Sequence, residues 1–66
     1  MSAQRFTDHE ITEAMIVFGG GFVSQLGKLF RQGDAENRKI LKEAFAIYWK
    51  EYSDPLMHAR LAQVQR

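Results

Sequence analysis

Two short stretches hold residues whose types could do chemistry. His9-Glu10-Ile11-Thr12-Glu13 approaches the H-E-x-x-H helix, in which two histidines one turn apart bind zinc and the glutamate serves as general base. Glu13 stands where the second histidine belongs. The only other histidine is His58, and a zinc site needs three or four converging donors, so the segment reads as an exposed acidic first turn with no metal. Gly19-Gly20-Gly21-Phe22-Val23-Ser24 partly matches the dinucleotide fingerprint G-x-G-x-x-G, with Ser24 in place of the third glycine. That fingerprint works between a strand and a helix and needs an acid about 20 residues on. The flanks here read as helical, so no cofactor is expected. Ser2, Ser24 and Ser53 have no histidine and aspartate placed to activate them, and there is no cysteine. The sequence therefore points away from an enzyme.

A third set could contact phosphate. Arg38, Lys39, Lys42 and Lys50 fall in one prospective helix, and His58, Arg60, Gln63, Gln65 and Arg66 could form a recognition helix. Glu36, Glu43 and Glu51 interleave with the first group, the pattern of a solvated face. Nine Lys and Arg against eight Asp and Glu give a net charge of +1, with no field of one sign to draw in a polyanion. A small nucleic-acid-binding regulator is kept as the alternative function.

The elements that would carry these residues are helices. Thr7-Asp8-His9-Glu10 fits a capping box, so a helix is expected from Asp8. Ile11, Met15, Phe18, Phe22, Leu26 and Leu29 then recur at 3.6 residues per step, without loss of phase across the glycines. Three glycines cost a helix roughly 3 kcal/mol against alanine, which makes a break there the competing reading. Acids at Asp8, Glu10 and Glu13 and bases at Lys28 and Arg31 suit the ends of one macrodipole, and no capping residue flanks the glycines. The expectation is one helix over about 8–32, kinked at most mid-way, with Gly33 as a left-handed cap. Asp34 caps a second helix over 35–52. Asp54 and Pro55 open a third over 55–65, whose apolar stripe is Met57, Leu61 and Val64.

The fold class expected is all-α: an antiparallel helical hairpin plus a short third helix in a single domain over 1–66. A chain of 66 residues buries little surface and has no disulfide or zinc to support it. Dense packing of five Phe, two Tyr and one Trp, or self-association, has to serve instead.

The first helix also carries a second stripe, Ile16, Gly20, Val23, Gly27 and Phe30, at the 3.5-residue period of a coiled-coil seam. Its small residues would let another backbone approach closely. In the second helix Ile40, Leu41, Ala44, Phe45, Ile47, Tyr48, Trp49 and Tyr52 span roughly 200°, twice the arc that one core contact requires. From these patterns the seam, together with Phe45, Trp49 and Tyr52, is expected to form a protein-interaction surface, with a homodimer as its first product; the competing reading is that the seam receives the second or third helix within one three-helix domain. The longest apolar run, Ala14 to Val23, is too short to cross a bilayer, and the opening residues lack the basic-then-apolar pattern of a signal peptide. A cytoplasmic location is expected.

With Phe22-Val23, Leu26, Gly33-Asp34-Ala35-Glu36-Asn37, Lys39-Ile40, Ala44-Phe45, Tyr48-Trp49 and Tyr52 in view, residues 18–52 resemble small uncharacterised proteins encoded by bacteriophages and prophages. These pair a Gly-Gly-x-Phe-Val helix with an acid-x-x-Asn start to a second helix ending in aromatic residues. The resemblance implies a phage or prophage product in a bacterial cytoplasm, acting by binding a host or phage protein.

Overall fold

The computed structural model describes residues 5–65, and among these every regular element is a helix. They are α1 (Asp8–Phe18), α2 (Gly20–Gln32), α3 (Ala35–Ala44), α4 (Ala46–Glu51) and α5 (Pro55–Val64). Three starts follow from their caps. The Thr7 hydroxyl accepts from the Glu10 N–H at 3.1 Å, and the Glu10 carboxylate accepts from the Thr7 N–H at 2.9 Å, which closes the capping box. Asp34 accepts from the Asn37 N–H at 2.9 Å, and Asp54 from the Leu56 N–H at 3.1 Å with Pro55 at the first helical position.

The helix expected over 8–32 is two helices. They fold back on each other as an antiparallel pair, and the turn is made of glycine. Gly19 stays in the right-handed region but has no room for a side chain, since a Cβ there would lie 2.2 Å from the Met15 carbonyl oxygen and 2.8 Å from Val23. Gly20 adopts φ +68°, a left-handed conformation that costs an L-residue roughly 1–2 kcal/mol. These two backbone conformations reverse the chain without any side-chain cap. Gly33, by contrast, is extended at φ −78°, ψ 152°, and is not the left-handed cap expected of it.

Once the chain reverses, the two apolar stripes trade places. In α1 the buried residues Ile11 and Met15 belong to the first stripe, whereas in α2 Val23, Gly27 and Phe30 belong to the second. Leu26 is buried beside them, and Phe22 and Leu29, which continue the first stripe, are left outside. Polar contacts fix the pairing. The Ser24 hydroxyl donates to the Ile16 carbonyl at 3.2 Å, and Arg31 reaches Thr12, His9 and Glu13.

A second reversal at Gly33-Asp34 lays α3 and α4 antiparallel to α2: Leu29 lies with Ile40 and Leu41, and the Phe22 ring meets those of Phe45 and Tyr48 at 6.0 and 6.1 Å. The segment expected as one helix over 35–52 is interrupted at Phe45 (φ −117°, ψ 35°), where the Tyr48 N–H bonds the Phe45 carbonyl in a tighter turn. Phe45 through Trp49 is rich in aromatic and β-branched residues, which lose rotamer freedom in a helix. Finally α5 packs on α1 through Leu61, and Gln65 donates to Glu13. The body is flat, 32 × 31 × 17 Å.

Candidate interaction surface

The residues expected to form the interaction surface are mostly core. Val23, Gly27, Phe30, Trp49 and Tyr52 are buried within the chain, Ile16 and Phe45 are half-buried, and Gly20 alone is exposed, at the turn. The seam does bring two backbones close, but both belong to this molecule: a Cβ on Gly27 would lie 3.0 Å from the Thr12 carbonyl oxygen and 3.1 Å from Ile16. What was read as one face of a long helix closes on itself. Trp49 and Phe30 meet at 4.9 Å in the same core, and the Trp49 indole N–H donates to the Asp8 carboxylate at 3.1 Å, which ties α4 to the start of α1. Burial, then Glu51 and Tyr48, pushes the Tyr52 phenol above its usual range, so Tyr52 stays neutral.

Of the residues considered for phosphate binding, Arg38, Lys42 and His58 are engaged within the fold. Arg38 donates to the Phe30 and Arg31 carbonyls at 3.1 and 3.0 Å, satisfying the exposed end of α2, and its guanidinium lies 5.4 Å from the centre of the Phe30 ring. Lys42 pairs with Asp8 at 2.9 Å. His58 stacks on Phe6 with ring centres 3.8 Å apart, and its Nε2–H donates to the Tyr52 carbonyl at 2.8 Å. Lys39, Lys50 and Arg60 are exposed, and Arg66 and Ser2 lie outside the described residues.

Phe6, His9, Glu10, Glu13 and His58 do line a cleft of ≈ 570 Å³ between α1 and α5. Its acids already have partners. Glu13 accepts from Arg31 and Gln65, and Glu10 from Thr7, whose N–H is the main reason its carboxyl sits below the usual range. Among the described residues no group of three or more His, Cys, Asp or Glu could hold a metal ion. Of residues 19–24, Gly19 and Gly20 make the helix-to-helix turn and 21–24 lie at the start of α2, with α1 and not a strand before them.

An apolar surface stays exposed, and Ile40 and Ile47 of the wide arc read on the second helix belong to it. Phe22 is 62% exposed, Leu29 53%, Ile40 55% and Ile47 69%, all on α2 and on the α3–α4 segment packed beside it. A shallow groove of ≈ 350 Å³ runs between Leu29, Ile40 and Leu41, and elsewhere along the same pair of elements the Phe22 ring meets those of Phe45 and Tyr48. A stable monomer gains nothing by leaving large apolar side chains contiguous in water, and such patches mark contact sites. The wide arc on the second helix signalled the α3–α4 side of this face, whereas its α2 side needed the break at the glycines, because Phe22 and Leu29 look like core in an unbroken helix.

No described helix is long and apolar enough to cross a membrane. Neither family models, curated proteins nor solved structures give a match to this chain.

Proposed function

We propose that the chain is a small non-enzymatic protein-interaction module that docks through the apolar face between α2 and α3–α4. The observation that carries this reading is the exposure of Phe22, Leu29, Ile40 and Ile47 on adjoining elements, beside the half-buried rings of Phe45 and Tyr48. Aromatic side chains near the centre of a contact carry much of its energy, and burying the surrounding aliphatic surface adds to it. The Gly27 seam is used inside the chain, so the homodimer expected from the sequence would need another surface, and this face is the one the reading assigns to it. The nucleic-acid alternative is weakened by the engagement of Arg38 and Lys42 within the fold. The resemblance to phage and prophage products supplies the setting: a bacterial cytoplasm in which the module binds a host or phage protein.

Affinity capture from a bacterial lysate with the parent chain and with Leu29→Gln/Ile40→Gln tests the proposal. Both residues are more than half exposed, so the double variant should fold as the parent does. A protein retained by the parent and lost from the variant is the expected result. Identical capture by the two chains, or none by either, overturns the reading.

A further inference from the structure

The contact between α1 and α2 is symmetric about the glycine where the chain turns. Arg31 donates to the His9 carbonyl at 3.0 Å, Gly27 fits under the Thr12 carbonyl, which a Cβ would approach to 3.0 Å, and the Ser24 hydroxyl donates to the Ile16 carbonyl at 3.2 Å. Each of these pairs is centred on or beside Gly20. The long Arg31 side chain also reaches Thr12 and Glu13. With Gly20 in the middle, His9, Thr12, Ile16, Gly20, Ser24, Gly27 and Arg31 follow in steps of 3, 4, 4, 4, 3 and 4, so on a straight helix they would share one face. Between Asp8 and Gln32 only Gly20 has a positive φ, at +68°, while Gly19 is already right-handed at φ −80°, ψ −6°. The turn is also held more lightly than the next one. At Gly33-Asp34 the Asp34 carboxylate caps α3, and Arg38 donates to the Phe30 and Arg31 carbonyls. At Gly19-Gly20 the last turn of α1 has no base, the first turn of α2 has no acid, and the Ser24 hydroxyl is what bonds across.

We infer that Gly20 is a hinge on which α1 swings out to continue α2 as one helix, and that two copies of the chain then exchange their α1 segments. Two such helices crossing antiparallel at Gly20 make the same three pairs between chains. The register does not change, because the pairs are symmetric about the crossing, and glycine there lets the backbones pass closely. The other partners of α1 are recovered in the same way: Asp8 meets Trp49 and Lys42, and Glu13 meets Gln65, each on the second copy. In the open chain the Gly20 N–H takes the Ile16 carbonyl that Ser24 holds in the closed turn, and the left-handed conformation is relieved. A dilute chain closes on itself, since its own α1 is presented to α2 at a high effective concentration. Exchange of an identical element is a low-cost route to a dimer, and this one does not draw on the docking face.

Gly19→Ala/Gly20→Ala tests the hinge, because alanine opposes the closed turn at both positions and favours the helix. A Cβ at residue 19 would crowd the Met15 carbonyl and Val23, and one at residue 20 would carry a positive φ. Equal amounts of ¹⁵N-labelled and ¹³C-labelled full chain are unfolded together, refolded at high concentration and sedimented. The alanine variant should be far more dimeric than the parent, and isotope-filtered nuclear Overhauser contacts should join Gly27 of one chain to Ile16 of the other. Ser24→Ala, which deletes the bond across the closed turn, should shift the closed-to-open equilibrium about fivefold per chain and so raise the dimer fraction. Gly20→Asn, which accepts the left-handed conformation, should stay as the parent is. A monomeric alanine variant, folded or unfolded, overturns the hinge, and so does a Ser24→Ala chain no more dimeric than Gly20→Asn. A dimer whose Gly27–Ile16 contacts stay within one chain overturns the exchange and leaves the docking reading intact.

Discussion

Arg31 closes a 2.9 Å ion pair on Glu13, eighteen residues earlier in the chain. In one continuous helix the two would stand roughly 27 Å apart. The same guanidinium donates to the His9 carbonyl at 3.0 Å and to the Thr12 hydroxyl at 3.1 Å, while that buried hydroxyl donates in turn to the Asp8 carbonyl at 2.9 Å. Arg31 thus clasps the first turns of α1 to the last turn of α2.

Removing the clasp should be costly out of proportion to its exposed ion pair. The side chains of Arg31 and Glu13 are 31% and 26% exposed, so the pair itself contributes less than about 1 kcal/mol. Loss of the bonds to His9 and Thr12 brings the expected cost of Arg31→Met to roughly 2 kcal/mol. Arg31→Lys should recover less than half, because an ammonium cannot serve three acceptors arranged for a planar fork. Urea denaturation of the three proteins measures this, and Arg31→Lys melting with the parent would refute it.

At Gly27 the obstacle is a neighbouring backbone. Gly27→Ala should destabilise by about 1 kcal/mol and Gly27→Leu by 2–3 kcal/mol, since the Thr12 carbonyl can yield only if α1 and α2 separate. Lys28→Leu, at the next and exposed position, should change stability little. The loss should appear at any protein concentration, because the contact lies within one chain.

Gly20 behaves differently, as nothing lies within 4 Å of a Cβ there and only its φ of +68° resists substitution. Gly20→Ala and Gly20→Leu should therefore cost nearly the same, about 1–2 kcal/mol, whereas Gly20→Asn should cost less. Gly21→Ala, at a neighbouring position with open space, should stabilise the protein by up to about 1 kcal/mol. Thermal melts of the four variants separate conformational strain from crowding, and a Leu variant much worse than the Ala variant would indicate crowding.

Acid should loosen the start of α1. Glu10 has its carboxyl held below the usual range by the Thr7 N–H, then by the Thr7 hydroxyl and the two histidines. A carboxyl with a depressed folded-state value stabilises the fold above its unfolded-state value, and that contribution is lost as pH falls through the folded one. The Glu10 side-chain resonance should titrate below an ordinary glutamate, and Thr7 amide protection should fall with it. In Glu10→Gln that pH dependence should vanish.

The caps at Thr7, Asp34 and Asp54-Pro55 were legible in the sequence because each is a local hydrogen-bond pattern. The reversal at Gly19-Gly20 was not. Ile11 through Leu29 keeps helical phase whether or not the chain turns, and acids at one end with bases at the other suit an antiparallel contact as well as a single dipole. The absence of a capping residue misled, because here glycine's backbone freedom makes the turn. Gly27 was rightly read as a point of close backbone approach, but the approaching backbone is that of Thr12 in the same chain. The exposure of Phe22 and Leu29 followed only from that turn, whereas Ile40 already lay in the over-wide apolar arc of the second helix.

The Trp49–Asp8 hydrogen bond spans 41 residues, whereas both hairpins reverse within two residues of glycine-bearing chain. Helices form in under a microsecond and short loops close nearly as fast, while contacts distant in sequence pay a larger closure entropy and form later. Trp49 is the sole tryptophan, and its indole meets the Phe30 ring of α2 and bonds Asp8 only when α4 has also reached the start of α1. In rapid mixing, its fluorescence should lag behind the recovery of helical circular dichroism and so time the joining of the two ends of the fold.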